Sequence, residues 1–174
     1  MVIDPGLAFG TGGHESTRLA LDLLAALPRS LRVGARVLDV GTGSGVLALA
    51  ALRLGAVHAL GIDVDASAVS VARENALRNG LSRELDLVAG TLDGLRPASF
   101  DLVLANLLKR ELLPLADEIV RRLGPGATLI VAGLLASEYK EVMAILAAKG
   151  LREVGKAELL DASGTRWLGL RLVA

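Results

Sequence analysis

Early in the chain "ARVLDV" (Ala35–Val40) is followed by the glycine loop "GTGSG", the apolar stretch "VLALAALRL" and a second short run, "HALGID" (His58–Asp63). Two apolar runs of strand length separated by a helical stretch predict a βαβ unit, because parallel strands need a crossover of about a dozen residues or more. The alternation then continues. "ASAVSVARENALRNG" places Val69, Ala72 and Ala76 at helical spacing, with Gly80 as a C-terminal stop. "LDLVAG" (Leu85–Gly90) and "FDLVLAN" (Phe100–Asn106) predict the third and fourth strands. A helix over Glu111–Leu123 puts Leu112, Ala116, Ile119 and Leu123 on one face. After the turn "GPG", "ATLIVAGLL" (Ala127–Leu135) predicts the fifth strand, and a last helix starts at Ser137 as N-cap and stops at Gly150. The pattern predicts an α/β fold with a mostly parallel sheet. The tail differs: "LREVGKAELLD", the turn "ASG" and "TRWLGLRLV" read as an antiparallel hairpin at or near one edge.

The composition suits such a sheet. The chain has 174 residues, 52% of them hydrophobic but only 2% aromatic, so Ala, Leu and Val must build the core. That length predicts a single domain, 1–174. Nineteen basic residues balance nineteen acidic ones, leaving neither a basic footprint for direct nucleic-acid binding nor a polybasic membrane anchor. There is no cysteine, hence no disulfide framework, thiolate nucleophile or Cys-ligated zinc, and no metal is expected. The most apolar region, Val46 to Ile62, is interrupted by Arg53 and His58. A soluble cytoplasmic domain is the expectation.

Ligands of open α/β sheets bind beyond the carboxyl ends of the strands. The first such loop reads "DVGTGSG", with Asp39 at its entrance and Gly41, Thr42, Gly43 and Gly45 within it. Alternating glycines leave the strand end unobstructed and tolerate positive φ. A tight strand–helix turn would use them too. Asp63, at the end of the second strand, can accept both ribose hydroxyls of a nucleoside. Asp65 reads instead as the N-cap of the next helix. A dinucleotide site wants GxGxxG, but here the third glycine comes one residue early and Val46 takes its place. A carboxylate at Asp39 would also repel a phosphate. S-adenosylmethionine has no phosphate and carries an amino group and a sulfonium, so an acidic loop suits it better than NAD.

Five segments together, "DPGLAFGTGGHESTRLAL", "VLDVGTGSGVLALAALRLGA", "GIDVDASAV", "ARENALRNG" and "DLVLANLL", closely resemble the PrmA family, the methyltransferases of ribosomal protein L eleven. The glycine loop is common to most class I methyltransferases. The FGTGxH segment combined with Asn-Leu after the fourth strand is far more specific. The resemblance implies a Rossmann-like, seven-stranded domain that binds S-adenosyl-L-methionine, with a separate N-terminal recognition domain. It implies that Phe9, Gly10, Thr11, Gly12 and His14 form a lid and that Thr17 reaches the methionyl end of the cofactor. Ser16 stands where the family usually has threonine. His14 admits a general-base reading and a structural one. Residues after the third strand would meet the adenine: Gly90, Thr91 and Leu92, with Asp93 lying late and Val64 able to pack on the adenine face.

Asn106 ends the fourth strand and reads either as an Asx turn or as the group that aligns a methyl acceptor. In the second reading its side-chain carbonyl, with the backbone carbonyl of Leu107, accepts hydrogen bonds from an amine. Related glutamine and adenine methyltransferases have Asn-Pro-Pro-aromatic at this point; this chain lacks those prolines and that aromatic, which favours an aliphatic amine. The expected activity is methylation of amino groups, a lysine side chain or N-terminal amine, of a ribosomal large-subunit protein. Only Met1, Val2 and Ile3 precede Asp4, so the chain is expected to be either an excised catalytic domain or a one-domain methyltransferase acting on a small molecule or another protein. The sequence leaves the oligomeric state open.

Overall fold

A computed structural model describes residues 1–4 and 14–174. The elements follow in the order α1 (Glu15–Ala25), α2 (Arg29–Arg32), β1 (Arg36–Val40), α3 (Val46–Arg53), β2 (His58–Asp63), α4 (Ala66–Arg78), β3 (Leu85–Ala89), β4 (Phe100–Asn106), α5 (Lys109–Arg121), β5 (Leu123–Leu135), α6 (Tyr139–Ala148), β6 (Arg152–Leu160) and β7 (Arg166–Val173). Seven strands form one sheet in the order β3-β2-β1-β4-β5-β7-β6. The first five pair in parallel, and β7 and β6 close the sheet antiparallel. This is the predicted mostly parallel sheet with its closing hairpin. No helix among the described residues is long and apolar enough to cross a membrane.

Both faces of the central strands are buried, so each strand supplies two cores through its alternating side chains. Leu102 and Leu104 of β4 join Val37, Ile130 and the alanine-rich α3 on one face. Val103 and Ala105 join Leu38, Leu129, Leu112 and Ile119 on the other. Seven of the eight α3 residues are buried, from Val46 to Leu52. Three alanines among them let α3 lie close against the sheet, where larger side chains would force it away.

Several boundaries differ from the sequence reading. α5 begins at Lys109, two residues early, because Leu108 is extended and its N–H donates to the Glu111 carboxylate at 3.1 Å. Ser137 is not the cap of α6. Residues 136–138 form a 3-10 turn, and Glu138 reaches back to accept the Leu135 N–H at 2.9 Å. The "GPG" segment falls within β5 rather than before it, bulging out of the ladder between the pairs Phe100–Leu123 and Leu102–Thr128.

Candidate active site

The carboxyl ends of β1, β2 and β4 open into a cavity of about 800 Å³. That lies toward the upper end of the range for small-molecule sites. Its walls run along the sheet edge from Gly90 and Thr91 after β3, through Asp63, Gly41 and Asn106, to Gly133 of β5 and Trp167 of β7.

The loop after β1 is built from its glycines. Gly41, Gly43 and Gly45 all have positive φ, which side-chain-bearing residues rarely adopt. The Gly41 and Thr42 N–H groups both donate to the Ile62 carbonyl, at 2.9 and 3.0 Å, tying the loop to β2. Gly41, Thr42 and Gly43 line the cavity. Gly45 is not on its wall; a Cβ there would meet the Ala72 Cβ at 3.1 Å, so this glycine serves the packing of α4.

Asp39 lies beneath the loop, 1% exposed and off the cavity wall. Its Oδ2 accepts the Thr42 hydroxyl at 2.8 Å and the Ala48 N–H at 3.1 Å. Burial pushes its carboxyl up to about 6; the bonds from Thr42 and Ala48 pull against that, and the neighbouring Asp63 charge adds to it. The Ala48 bond bears on ligand choice. In dinucleotide folds a phosphate occupies the N-terminus of the helix after β1. Here a carboxylate already occupies the first turn of α3, and the group disfavours an anion above it.

Asp63 is on the wall, where its carboxylate is held by two backbone donors, Gly43 N–H to Oδ2 at 2.9 Å and Asp65 N–H to Oδ1 at 3.0 Å. Each oxygen keeps lone-pair capacity toward the cavity. Val64, next to it, is 76% exposed on the wall and offers an apolar face to a planar ring. Thr91 and Leu92 line the same end, while Asp93 is not on the wall. Asp65 caps α4 as its position predicts, accepting the Ser67 N–H at 2.8 Å.

Asn106 faces the middle of the cavity. Its Nδ2 donates to the Thr17 hydroxyl at 3.2 Å, which fixes the amide, and its buried Oδ1 has no partner among the described residues. Thr17 is fully buried behind Asn106, not on the wall. The Leu107 carbonyl faces Gly133, where a Cβ would come within 2.6 Å of its oxygen. Only a glycine at 133 permits this close approach of β5 to the Leu107 backbone. The Leu107 side chain packs over Gly41, its Cδ2 at 2.6 Å from where a Cβ would lie.

His14 is the N-cap of α1; its Nδ1 accepts the Ser16 N–H at 3.2 Å and lies 2.8 Å from the Ser16 hydroxyl. A nitrogen accepting from a backbone N–H carries no proton, so Nε2 holds it in the neutral ring. The geometry favours the structural reading of this histidine. Phe9, Gly10, Thr11 and Gly12 lie outside the described residues.

Trp167 and Gly133 are among the wall residues that sequence reasoning missed. The aromatic is indeed absent after Asn106, but β7 brings Trp167 to the cavity wall. Its ring centroid lies 4.6 Å from that of His14 in a T-shaped contact. One signal was available: an antiparallel strand beside β5 begins at the carboxyl edge of the sheet, and Trp167 is the second residue of β7 and pairs with Leu135. Among the described residues no cluster of His, Asp or Glu could hold a metal ion.

A family model for "Ribosomal protein L11 methyltransferase (PrmA)" matches residues 1–158. Among curated relatives, the ribosomal protein L11 methyltransferase of Syntrophotalea carbinolica is 48% identical over 153 residues, covering 87% of this chain and 49% of that protein. The protein of the same name from Deinococcus radiodurans is 42% identical over 172 residues, covering 96% of this chain and 62% of that protein. The chain thus spans about half to three fifths of their length. Among solved structures, a ribosomal protein L11 methylase from Lactobacillus delbrueckii subsp. bulgaricus superposes with a TM-score of 0.80 at 32% identity, over 98% of this chain and 82% of that one. The N-methyltransferase NodS from Bradyrhizobium japonicum, solved with S-adenosyl-L-homocysteine, shares the fold with a TM-score of 0.73 at 18% identity, over 92% of this chain and 88% of that one. The glycine loop, the ordered Asp63 carboxylate and the Asn106–Leu107 edge thus sit in a chain that belongs to the ribosomal protein L11 methyltransferase (PrmA) family.

Proposed function

We propose that this chain binds S-adenosyl-L-methionine along the carboxyl edge of the sheet and directs methyl transfer to an amino group, a lysine side chain or N-terminal amine of a ribosomal protein. The names of the relatives, and the fold shared with a structure holding S-adenosyl-L-homocysteine, support the reading. The cavity fits the cofactor. Asp63 would hold the ribose hydroxyls, Val64, Gly90, Thr91 and Leu92 the adenine, and Gly41, Thr42 and Gly43 the methionyl part. Asp39 and Thr17 act from behind, the first by giving the floor a negative character and the second by fixing Asn106. When bound, the cofactor supplies an electrophilic methyl group on sulfur.

The chain's contribution is alignment. The Asn106 side-chain carbonyl and the Leu107 carbonyl would serve as the acceptor pair beyond β4, taking the N–H bonds of a neutral amine and aiming its lone pair inward. Positioning of this kind lowers a barrier by as much as roughly 7–11 kcal/mol. A free lysine has a pKa of about 10.4, so the amine must shed its proton on entry; the apolar residues Leu47, Leu108 and Leu115 on the wall favour the neutral form by excluding water. His14 is not assigned as base, because its Nδ1 is committed to Ser16.

The observation that carries the reading is the Asn106 side chain on the cavity wall, its Nδ2 held by Thr17 and its buried Oδ1 without a partner among the described residues. Burying an unsatisfied carbonyl costs about 1–3 kcal/mol, which a bound amine would offset. Asn106→Ala should leave S-adenosyl-L-homocysteine affinity within a few-fold by calorimetry while lowering turnover about 100-fold, since misplacement by ~1 Å costs about that much. Turnover at the parent rate would transfer the aligning role to another residue.

A further inference from the structure

The aromatic end of the cavity has its own support outside the site. In the β6–β7 turn Asp161 accepts four hydrogen bonds. Its Oδ1 takes the Ser163 N–H at 2.8 Å, the Ser163 hydroxyl at 2.6 Å and the Thr165 N–H at 2.9 Å. Its Oδ2 takes the indole Nε1–H of Trp167 at 2.9 Å. One oxygen thus organises the turn and the other is kept for the indole. The backbone closes the same turn, with the Asp161 N–H donating to the Thr165 carbonyl at 2.9 Å and the Gly164 N–H to the Asp161 carbonyl at 3.0 Å. The indole packs against His14, the cap of α1, so the turn, the tryptophan and the helix cap form one chain of contacts reaching the cavity wall.

Trp167 lies beyond Asn106 in the direction away from Asp63, because β5 and β7 follow β4 in the sheet order. The ribose end of the cavity is therefore at β2, and the acceptor end at β5 and β7. We propose that Asp161 is a positioning residue for that acceptor end: by tethering the Trp167 indole against His14, it holds an aromatic wall that receives an alkylammonium group. This rests on the methyltransferase reading of the cavity. A rigid indole recognises an ammonium or methylammonium through its π face, whereas a loose one must be ordered on binding. The ligand class is the methylated ammonium that transfer creates; the attacking amine itself must be neutral.

Asp161→Asn separates the two oxygens. The asparagine carbonyl can keep the turn, while its NH₂ group would face the indole N–H donor to donor. Trp167 is the single tryptophan, so its fluorescence reports the tether directly. Acrylamide quenching of the indole should rise two- to threefold in Asp161→Asn, with unchanged circular dichroism and S-adenosyl-L-homocysteine affinity within twofold. The trimethylammonium signal of Nα-acetyl-ε-trimethyl-lysine amide, followed by NMR against the chain loaded with S-adenosyl-L-homocysteine, should show millimolar binding that weakens at least fivefold. Trp167→Phe should weaken it similarly, and Asp161→Asn added to Trp167→Phe should weaken it no further, which a general structural role would not produce. Unchanged quenching in Asp161→Asn, no probe binding by the parent, or additive losses in the double variant would each overturn the proposal. Failure of the parent to bind S-adenosyl-L-homocysteine would instead sink the methyltransferase reading, and quenching and probe binding on the unloaded chain would still judge the tether.

Discussion

Asp39 is the residue whose chemistry is most altered by the fold. Its carboxyl is pushed up to about 6 by burial, while an unfolded chain ionises it near its ordinary value of 3.8. Between those values the folded state holds a proton that the unfolded state has released. Stability therefore falls as pH rises from about 4 to about 6, by about 2–3 kcal/mol for this group. Other carboxylates slope the opposite way: bonds from Ser163 and Trp167 pull Asp161 down to about 2, so its stabilising effect is present above about 4 and lost as pH falls toward 2. The comparison must isolate Asp39. Denaturant unfolding of the parent and of Asp39→Asn at pH 4 and pH 6.5 should differ in slope, the parent losing relative stability at the higher pH. Equal slopes would mean that the Asp39 carboxyl titrates normally.

At the scale of elements, β5 does more than pair with its neighbours. Its ladder with β7 slips by one residue between Val131 and Leu134, and Gly133 in that bulge has φ +84°. Bulges of this kind bend a strand and recur beside active sites. Here the bulge brings β5 against the Leu107 backbone, and only a glycine fits. Gly133→Ala should cost more than about 3 kcal/mol, combining backbone strain of about 1–3 kcal/mol with collision against main-chain atoms. Gly126 provides the control on the same strand. Its φ is +70°, but a Cβ there meets nothing within 4 Å. Gly126→Ala should therefore cost only the strain. Thermal melts should show Gly133→Ala lower than Gly126→Ala by several degrees, and equal midpoints would rule out the close approach at Leu107.

At the scale of the whole molecule, the chain spans about half the length of its first curated relatives. All the residues proposed to meet the cofactor nevertheless lie within it. The expectation is that it binds the cofactor unaided. S-adenosyl-L-homocysteine at 100 times its dissociation constant should stabilise the fold by about 2.7 kcal/mol, a rise in Tm of roughly 5–11 °C, whereas NAD should not move it. Methylation of the ribosomal protein should be slow by comparison with a full-length relative, since acceptor recognition by a further domain is what the family resemblance implies. Rapid multiple methylation by this chain, seen by mass spectrometry, would show that these residues suffice for recognition.

Local pattern alone determined the succession of elements, because burial on both faces writes short apolar runs for strands and helical spacing for crossovers. It also determined the positive-φ loop after β1, the Asp65 cap and the acidic residue ending β2, each of which needs only its near neighbours. Phe100–Asn106 and His58–Asp63 are strands over the residues their apolar runs mark. Contacts between distant segments had to be decided by the tertiary structure. Asp39 reads as a loop-entrance carboxylate until α3 folds over it and takes its oxygen. The family resemblance implies a ligand contact for Thr17; the fold buries its side chain and bonds its hydroxyl to Asn106, far along the chain. Trp167 reads as a hairpin residue until antiparallel pairing with β5 turns the start of β7 toward the carboxyl edge. In each case the side chain's neighbours come from another strand or helix, and spacing along one segment carries no record of which element will lie beside it.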